Sequence, residues 1–208
     1  MIKNIIFDLG NVIVKNPTIN LVKKLFEKES DAQKIYDYVF KSDFWEKLDL
    51  GQMTNLEVAN IIESKKLIEV SNYNEMHNFI LNWFCNIEIN NDTIEIAKKL
   101  KENGYNIYVL SNMAKATYEY LSKKYDFFDM IDGAVISAYE GIKKPNPQIF
   151  ELLLNRYSLV AEECLLIDDD DTNKTLEVAN SVGIKGRRVS PNDAEDVKRV
   201  LEENNAEL

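Results

Sequence analysis

Five short apolar runs, separated by helix-like patterns, set the strongest limit on what this chain can fold into. They are Asn4–Phe7, Asn106–Leu110, Gly133–Ser137, Cys164–Ile167 and Gly186–Val189. As a set they are rich in Ile, Val and Leu, as strands buried on both faces are. Between them, apolar residues recur at helical spacing. Ile96, Ala97 and Leu100 precede Gly104; Ile149, Phe150, Leu153 and Leu154 follow Pro147; Val197, Val200 and Leu201 lie near the C-terminus. Asp92 is expected to cap the first of these helices, Pro147 to open the second, and Asn192 or Asp193 to cap the third. The alternation predicts right-handed crossovers and an α/β fold, a doubly wound, Rossmann-like parallel sheet of about five strands.

One segment breaks the alternation. Residues 17–88 show helical patterns and almost no strand, as in Leu21, Val22, Leu25 and Phe26, then Val58, Ile61 and Ile62, then Phe79, Ile80, Trp83 and Phe84. That is too much chain for one crossover. It is expected to form a helical cap domain inserted after the first strand, hinged near Asn16–Pro17 and Asn90–Asn91. Residues 1–16 and 89–208 then make the α/β core. A chain of 208 residues, 45% hydrophobic and 29% charged, can bury such a core.

The net charge of −10 argues against nucleic acid and against an anionic membrane as partner. No apolar run approaches the ~18 residues of a membrane span, and residues 1–14 lack the basic region and cleavage site of a signal peptide. A cytoplasmic protein is expected, with Cys85 and Cys164 as reduced, mostly buried thiols. The single histidine, His77, reads as an exposed helix residue, which makes multi-His metal sites and His-based triads poor candidates.

In an open parallel sheet, ligands bind beyond the carboxyl ends of the strands. The stretch IIFDLGNVIV, Ile5 to Val14, places a lone carboxylate, Asp8, at such an end, followed by Gly10 and Asn11. A charge ending a buried strand is costly unless it is paired or used. The second strand, IYVLSN, ends at Ser111 and Asn112. After the third, GIKKPNPQIF carries Lys143 and Lys144. The fourth, CLLIDDDD, ends at Asp168 and Asp169. One carboxylate, a hydroxyl with an amide, one or two lysines and a carboxylate pair therefore converge at one edge. Phosphoryl transfer needs such a set. A carboxylate attacks in line, oxygen ligands hold Mg²⁺, and a hydroxyl, backbone N–H groups and a lysine neutralise the equatorial oxygens. The run of four acids leaves two registers for the metal pair. Counting forward from Ile167 gives Asp168–Asp169, where the strand ends. Counting back from Glu177 and Gly183 gives Asp170–Asp171.

These motifs, in this order and at these spacings, resemble the four motifs of the haloacid dehalogenase superfamily, in the branch with a helical cap between motifs one and two. The stretch FWEKLDLGQMTNLEV resembles that branch's cap pattern of an aromatic, an acid, Gly and a Ser/Thr-led helix start. The resemblance covers nearly the whole chain. It implies a Mg²⁺-dependent hydrolase of a small phosphorylated substrate that works through an aspartyl-phosphate on Asp8. It further implies that Ser111 and Asn112 bind the phosphoryl group, with Gly10 and Asn11 contributing from the first loop. Lys144, directly before Pro145, would pair with the phosphoryl group and Asp8. Asp169, with Asp168, would hold Mg²⁺ alongside Asp8 and the backbone carbonyl of Gly10.

One position departs from the pattern. Family phosphatases usually carry a second Asp two residues after the nucleophile, as general acid and base; here that position is Gly10. The DLGNV form resembles a sub-branch that includes sugar-1-phosphate phosphatases. The leaving group or a cap residue must then compensate, and Asp49 could face the substrate or be structural. Trp45 and Trp83 read as cap core rather than substrate platform, and Lys143 as a solvated lysine. Gly10 would also let the loop pass close to metal and phosphate and take a positive φ. Two other classes stay open: a metal-independent 2-haloacid dehalogenase sharing the aspartyl nucleophile, and a non-catalytic binding or regulatory protein on the same fold.

Overall fold

The computed structural model describes residues 1–170, 172 and 174–208. Five parallel strands form one sheet: β1 (Asn4–Phe7), β2 (Asn106–Ser111), β3 (Gly133–Ile136), β4 (Cys164–Asp168) and β5 (Lys185–Arg188), in the order β3-β2-β1-β4-β5. β1 lies at the centre, with Phe7 registered against Val109 of β2 and Ile167 of β4. The strand order reverses there, so the carboxyl ends of β1, β2 and β4 border the crevice in which open α/β sheets bind ligands. Every residue of β1 and β4 is buried, as helices on both faces require. The outer strand β5 reads Lys-Gly-Arg-Arg, and its charges blunt an exposed edge.

The helices between strands follow the apolar spacing, with small corrections at their ends. Helix Asn91–Glu102 is capped by Asn90, whose side chain accepts from the N–H of Thr93; Asp92 sits inside the first turn. Helix Pro147–Tyr157 opens on its proline behind the Asn146 cap. In helix Ala194–Glu203 the cap is Asp193. Ser137 does not end β3 but starts the short helix Ser137–Glu140, and its hydroxyl is buried against chain from elsewhere.

Between β1 and β2 the described residues form helices, among them Ile19–Lys24, Glu29–Ile35, Asp43–Asp49, Asn55–Ser64 and Tyr73–Asn82. The two crossings into this region run together: Lys15 N–H donates to Glu88 O at 2.9 Å and Asn90 N–H to Ile13 O at 2.8 Å. Aromatic side chains knit the helices together, with Trp83 5.1 Å from Phe40 and 5.3 Å from Trp45 between ring centroids. His77 is half-buried, and its Nε2 has no partner, so it is not the exposed residue expected. Cys164 is buried and Cys85 half-buried, and both are free thiols.

The helices between β1 and β2 meet the sheet region in part through Ser137 and Ala138. The Ser137 hydroxyl donates to Asp49 O at 2.5 Å and accepts from the N–H of Met113 at 3.0 Å. Gly51 lies against Ala138 with φ +65°, and a Cβ there would sit 2.1 Å from the Ala138 carbonyl oxygen. Gly51→Ala therefore combines a left-handed alanine, about 1–2 kcal/mol, with a backbone clash. It is expected to destabilise the protein by about 2 kcal/mol or more in chemical denaturation. A change below ~0.5 kcal/mol, the usual range of a surface substitution, would contradict this contact.

Candidate active site

The carboxyl ends of β1 and β4 and the loop after β3 bring four charged side chains together. Lys144 Nζ lies 2.9 Å from Asp8 Oδ1 and 2.5 Å from Asp168 Oδ2. All three residues are at least 92% buried. Asp169 is half-buried beside them, and ligand oxygens of Asp8, Asp168 and Asp169 all lie within 4.8 Å of one another. Burial pushes the Asp8 carboxyl up to about 6, against the pull of Lys144 and with help from Asp168. Burial also works against the Lys144 ammonium, but Asp168 and Asp8 outweigh it and hold its pKa above the usual lysine value. Asp169 is raised, chiefly by burial, with Asn11 opposing.

The loop after β1 is shaped by its own carbonyl. Leu9 O accepts from the N–H groups of Val12, Ile13 and Val14. Gly10 does not take the positive φ expected of it; Asn11 does, at 54°. Asparagine tolerates that region better than other non-glycine residues. A Cβ at Gly10 would meet only the exposed Asn16 side chain, whose Oδ1 lies 3.0 Å from it.

Each remaining predicted residue has a definite place. Ser111 is buried at the end of β2, where its hydroxyl helps pull the Asp8 carboxyl down. Asn112 lines the cleft, but its amide is paired with the backbone of Lys144. Its Nδ2 donates to Lys144 O at 3.0 Å, and its Oδ1 accepts from Lys144 N–H at 2.8 Å. That reciprocal pair positions the lysine. Asn11 is likewise engaged, donating from Nδ2 to Asp169 Oδ2 at 2.9 Å and accepting from Asn16 N–H. Lys143 pairs with Glu46 of the insertion at 2.8 Å, part-buried rather than free in solvent.

The acid run divides by role. Asp168 and Asp169 gather with Asp8 and Lys144, whereas the Asp170 carboxylate, though it lines the cleft, is taken up by the residues that follow it. Asp170 accepts from Thr172 N–H at 2.9 Å and from Thr175 N–H at 2.7 Å, at the start of helix Lys174–Ser181. Its partial burial works the other way, yet those hydrogen bonds pull its pKa down to about 2. Asp171, second member of the other register, lies outside the described residues.

A cleft of about 350 Å³ opens over this cluster, within the range of small-molecule sites. Asp8, Gly10, Asn112, Lys144, Asp168 and Asp169 form its floor, and the insertion supplies Trp45, Asp49 and Trp83. Both tryptophans thus belong to the cleft wall as well as to the aromatic cluster. Among the described residues, three that line the cleft carry buried polar atoms without a partner: Asp49 Oδ1, Trp83 Nε1 and Thr117 Oγ1. Composition and spacing could not mark them, because only tertiary packing leaves an atom orphaned.

A five-stranded parallel sheet with a buried Asp–Lys–Asp cluster at its carboxyl edge, beside helices placed between its first two strands, is the frame of a hydrolase built on an open, doubly wound sheet. The chain belongs to the haloacid dehalogenase-like hydrolase family, which its residues 2–174 match. It is 25% identical over 211 residues to the drimenol cyclase of Aspergillus calidoustus, covering 97% of this chain and 36% of that protein. To the D-ribitol-5-phosphate phosphatase of Bacteroides thetaiotaomicron it is 26% identical over 194 residues, covering 89% and 90%. The chain spans between about a third and under half of three of the curated relatives it matches, the drimenol cyclase among them, at 36%, 45% and 36% of their lengths. Among solved structures, a variant of a HAD family enzyme from Bacteroides thetaiotaomicron, in complex with magnesium and inorganic phosphate, shares the fold. Its TM-score is 0.74 at 21% identity, over 93% of this chain and 96% of that one. No helix among the described residues is long and apolar enough to cross a membrane.

Proposed function

We propose that the protein is a Mg²⁺-dependent phosphomonoester hydrolase acting on a small phosphorylated metabolite of the sugar- or polyol-phosphate class. Residues 17–88 act as the cap over a core made of residues 1–16 and 89–208. The observation that carries this reading is the cluster of Asp8, Asp168 and Asp169 around Lys144. Three carboxylates facing one ammonium leave an excess of buried negative charge, and their oxygens are spaced as a hard divalent cation requires. Asp8, Asp168, Asp169 and the Gly10 carbonyl would hold Mg²⁺. When bound, the ion neutralises the carboxylates and the phosphoryl oxygens.

The chain's own residues do the rest. Asp8 presents a carboxylate oxygen to phosphorus, held in place by Lys144. Lys144 carries positive charge to the equatorial oxygens, on a backbone clamped by Asn112. The substrate class draws support from the relative named as a D-ribitol-5-phosphate phosphatase, which matches most of both chains. The unpartnered Trp83 Nε1 and Thr117 Oγ1 beside the cleft suit hydroxyl groups. The 2-haloacid dehalogenase reading fits less well. A haloacid anion entering without a cation would meet three carboxylates and one lysine.

The test is hydrolysis of a phosphomonoester panel with and without Mg²⁺. Turnover should require the ion and stop with EDTA. Saturating Mg²⁺ should also raise thermal stability, by ~2.7 kcal/mol at a hundred times its Kd. A melt unmoved by millimolar Mg²⁺, together with EDTA-insensitive turnover, would overturn the metal site. Absence of turnover on the panel with tight phosphate binding would favour the binding-protein alternative.

A further inference from the structure

A phosphomonoester whose leaving group is an alcohol cannot release it well as an alkoxide at neutral pH. Some group beside the departing oxygen must hold a proton. The floor of the cleft does not offer one freely. Asp8 is committed to Lys144, Asp168 to the same lysine and to the N–H of Asp170, and Asp169 to Asn11. Gly10 has no side chain. On the roof, by contrast, Asp49 lines the same cleft as Asp8 while its own carboxylate is left unsatisfied.

Asp49 is the last residue of helix Asp43–Asp49 and is 94% buried. Its Oδ1 is buried without a hydrogen-bond partner. An ionised carboxylate in that state is costly, and the cost falls when the group carries its proton. Its position is not accidental to packing. The backbone of Asp49 is pinned to the core by the Ser137 hydroxyl, and Gly51 two residues on packs against Ala138. The backbone that carries this side chain is therefore fixed at the wall of the cleft that Asp8 also lines.

We infer that Asp49 is the general acid of the reaction, protonating the leaving oxygen from the roof of the cleft in place of a residue at position 10. This rests on the phosphomonoesterase reading above. The step balances as follows. Asp8 forms the bond to phosphorus as the ester P–O bond breaks. The electron pair of that bond goes to the leaving oxygen, which takes the Asp49 proton and departs as the alcohol. Water then attacks phosphorus, the Asp49 carboxylate takes the water proton, and phosphate leaves with Asp8 restored. The environment agrees. Burial lifts the Asp49 carboxyl to about 7, with Lys143 and Lys144 pulling it down and Asp8 and Glu46 pushing it up. It thus exchanges a proton near neutral pH, where a general acid works best.

Asp49→Asn and Asp49→Glu test this with two esters, glycerol 1-phosphate and p-nitrophenyl phosphate, at saturating Mg²⁺. The alcohol needs a proton to leave and the nitrophenol does not. Asp49→Asn should lose on the order of 10²–10⁴-fold in kcat on the glycerol ester. On the nitrophenyl ester it should release a burst of nitrophenol stoichiometric with enzyme, followed by slow turnover, because only the second step lacks its base. Asp49→Glu should recover part of the glycerol-ester activity. The Asn variant should melt cooperatively, at or above wild type at pH 8, since it no longer buries a charge. Equal losses on both esters with no burst, or losses under tenfold on both, would assign Asp49 a structural role and overturn the inference while leaving the hydrolase reading intact. A wild type that turns over neither ester nor any other phosphomonoester would remove both.

Discussion

Asp8→Asn is expected to lower phosphomonoester turnover by on the order of 10⁴-fold or more while the fold survives. The amide is nearly isosteric with the carboxylate, so the Lys144 contact keeps a partner oxygen. It cannot form the acyl-phosphate, because its nitrogen is no nucleophile toward phosphorus. Stability should move the other way. The Asp8 pKa of about 6 lies above its ordinary value of 3.8, so the fold favours the protonated form. The stability this contributes is complete below about pH 4 and is lost as the pH rises through 6. Asparagine escapes that loss. Asp8→Asn should therefore melt at or above wild type at pH 8, and the gap should close by pH 5. Turnover of p-nitrophenyl phosphate within tenfold of wild type would exclude Asp8 as nucleophile.

The strands could be read from the chain because buried parallel strands need runs such as Ile5–Phe7 and Leu165–Ile167, apolar on both faces. The helices between β1 and β2 could be expected because apolar residues recur there at helical spacing, as in Leu21, Val22, Leu25 and Phe26. Asp8, Lys144, Asp168 and Asp169 could be placed at one edge because all follow strand ends, and strand ends share an edge in a parallel sheet. What the chain could not display was how side chains are paired. Asn112 sits where a phosphate ligand would, yet both halves of its amide bond the Lys144 backbone. Asn90 rather than Asp92 caps its helix because the chain crosses back beside Ile13 there, which fixes where the turn begins. In the sequence Asp49 could equally face the substrate or be structural. Its distinction, an unsatisfied oxygen at the roof of the cleft, arises only when helix Asp43–Asp49 docks on Ser137.

Lys144→Ala is expected to be the most destabilising single change at the site, about 3–5 kcal/mol at pH 8, with turnover lost as well. The side chain is 96% buried and is the shared partner of two carboxylates. Removing it leaves Asp8 and Asp168 buried without their cation, and truncating one member of a buried pair costs more than the pair contributed. The loss should depend on pH in a definite sense. Lys144 is the main influence holding the Asp8 pKa down, so without it Asp8 rises further above 3.8. The folded state then prefers a proton more strongly, and the deficit against wild type should be widest above pH 7 and shrink as the pH falls toward 5. Added Mg²⁺ should recover part of it, because a cation held by Asp8, Asp168 and Asp169 answers the same excess charge. A lysine acting only as packing would behave differently. Its loss would cost the same at pH 5 and pH 8 and would ignore Mg²⁺. Chemical denaturation of Lys144→Ala at both pH values, with and without the ion, separates the two. A pH-independent deficit would mean that the cluster is not held together by its charges, and would remove the electrostatic basis for placing a divalent cation there.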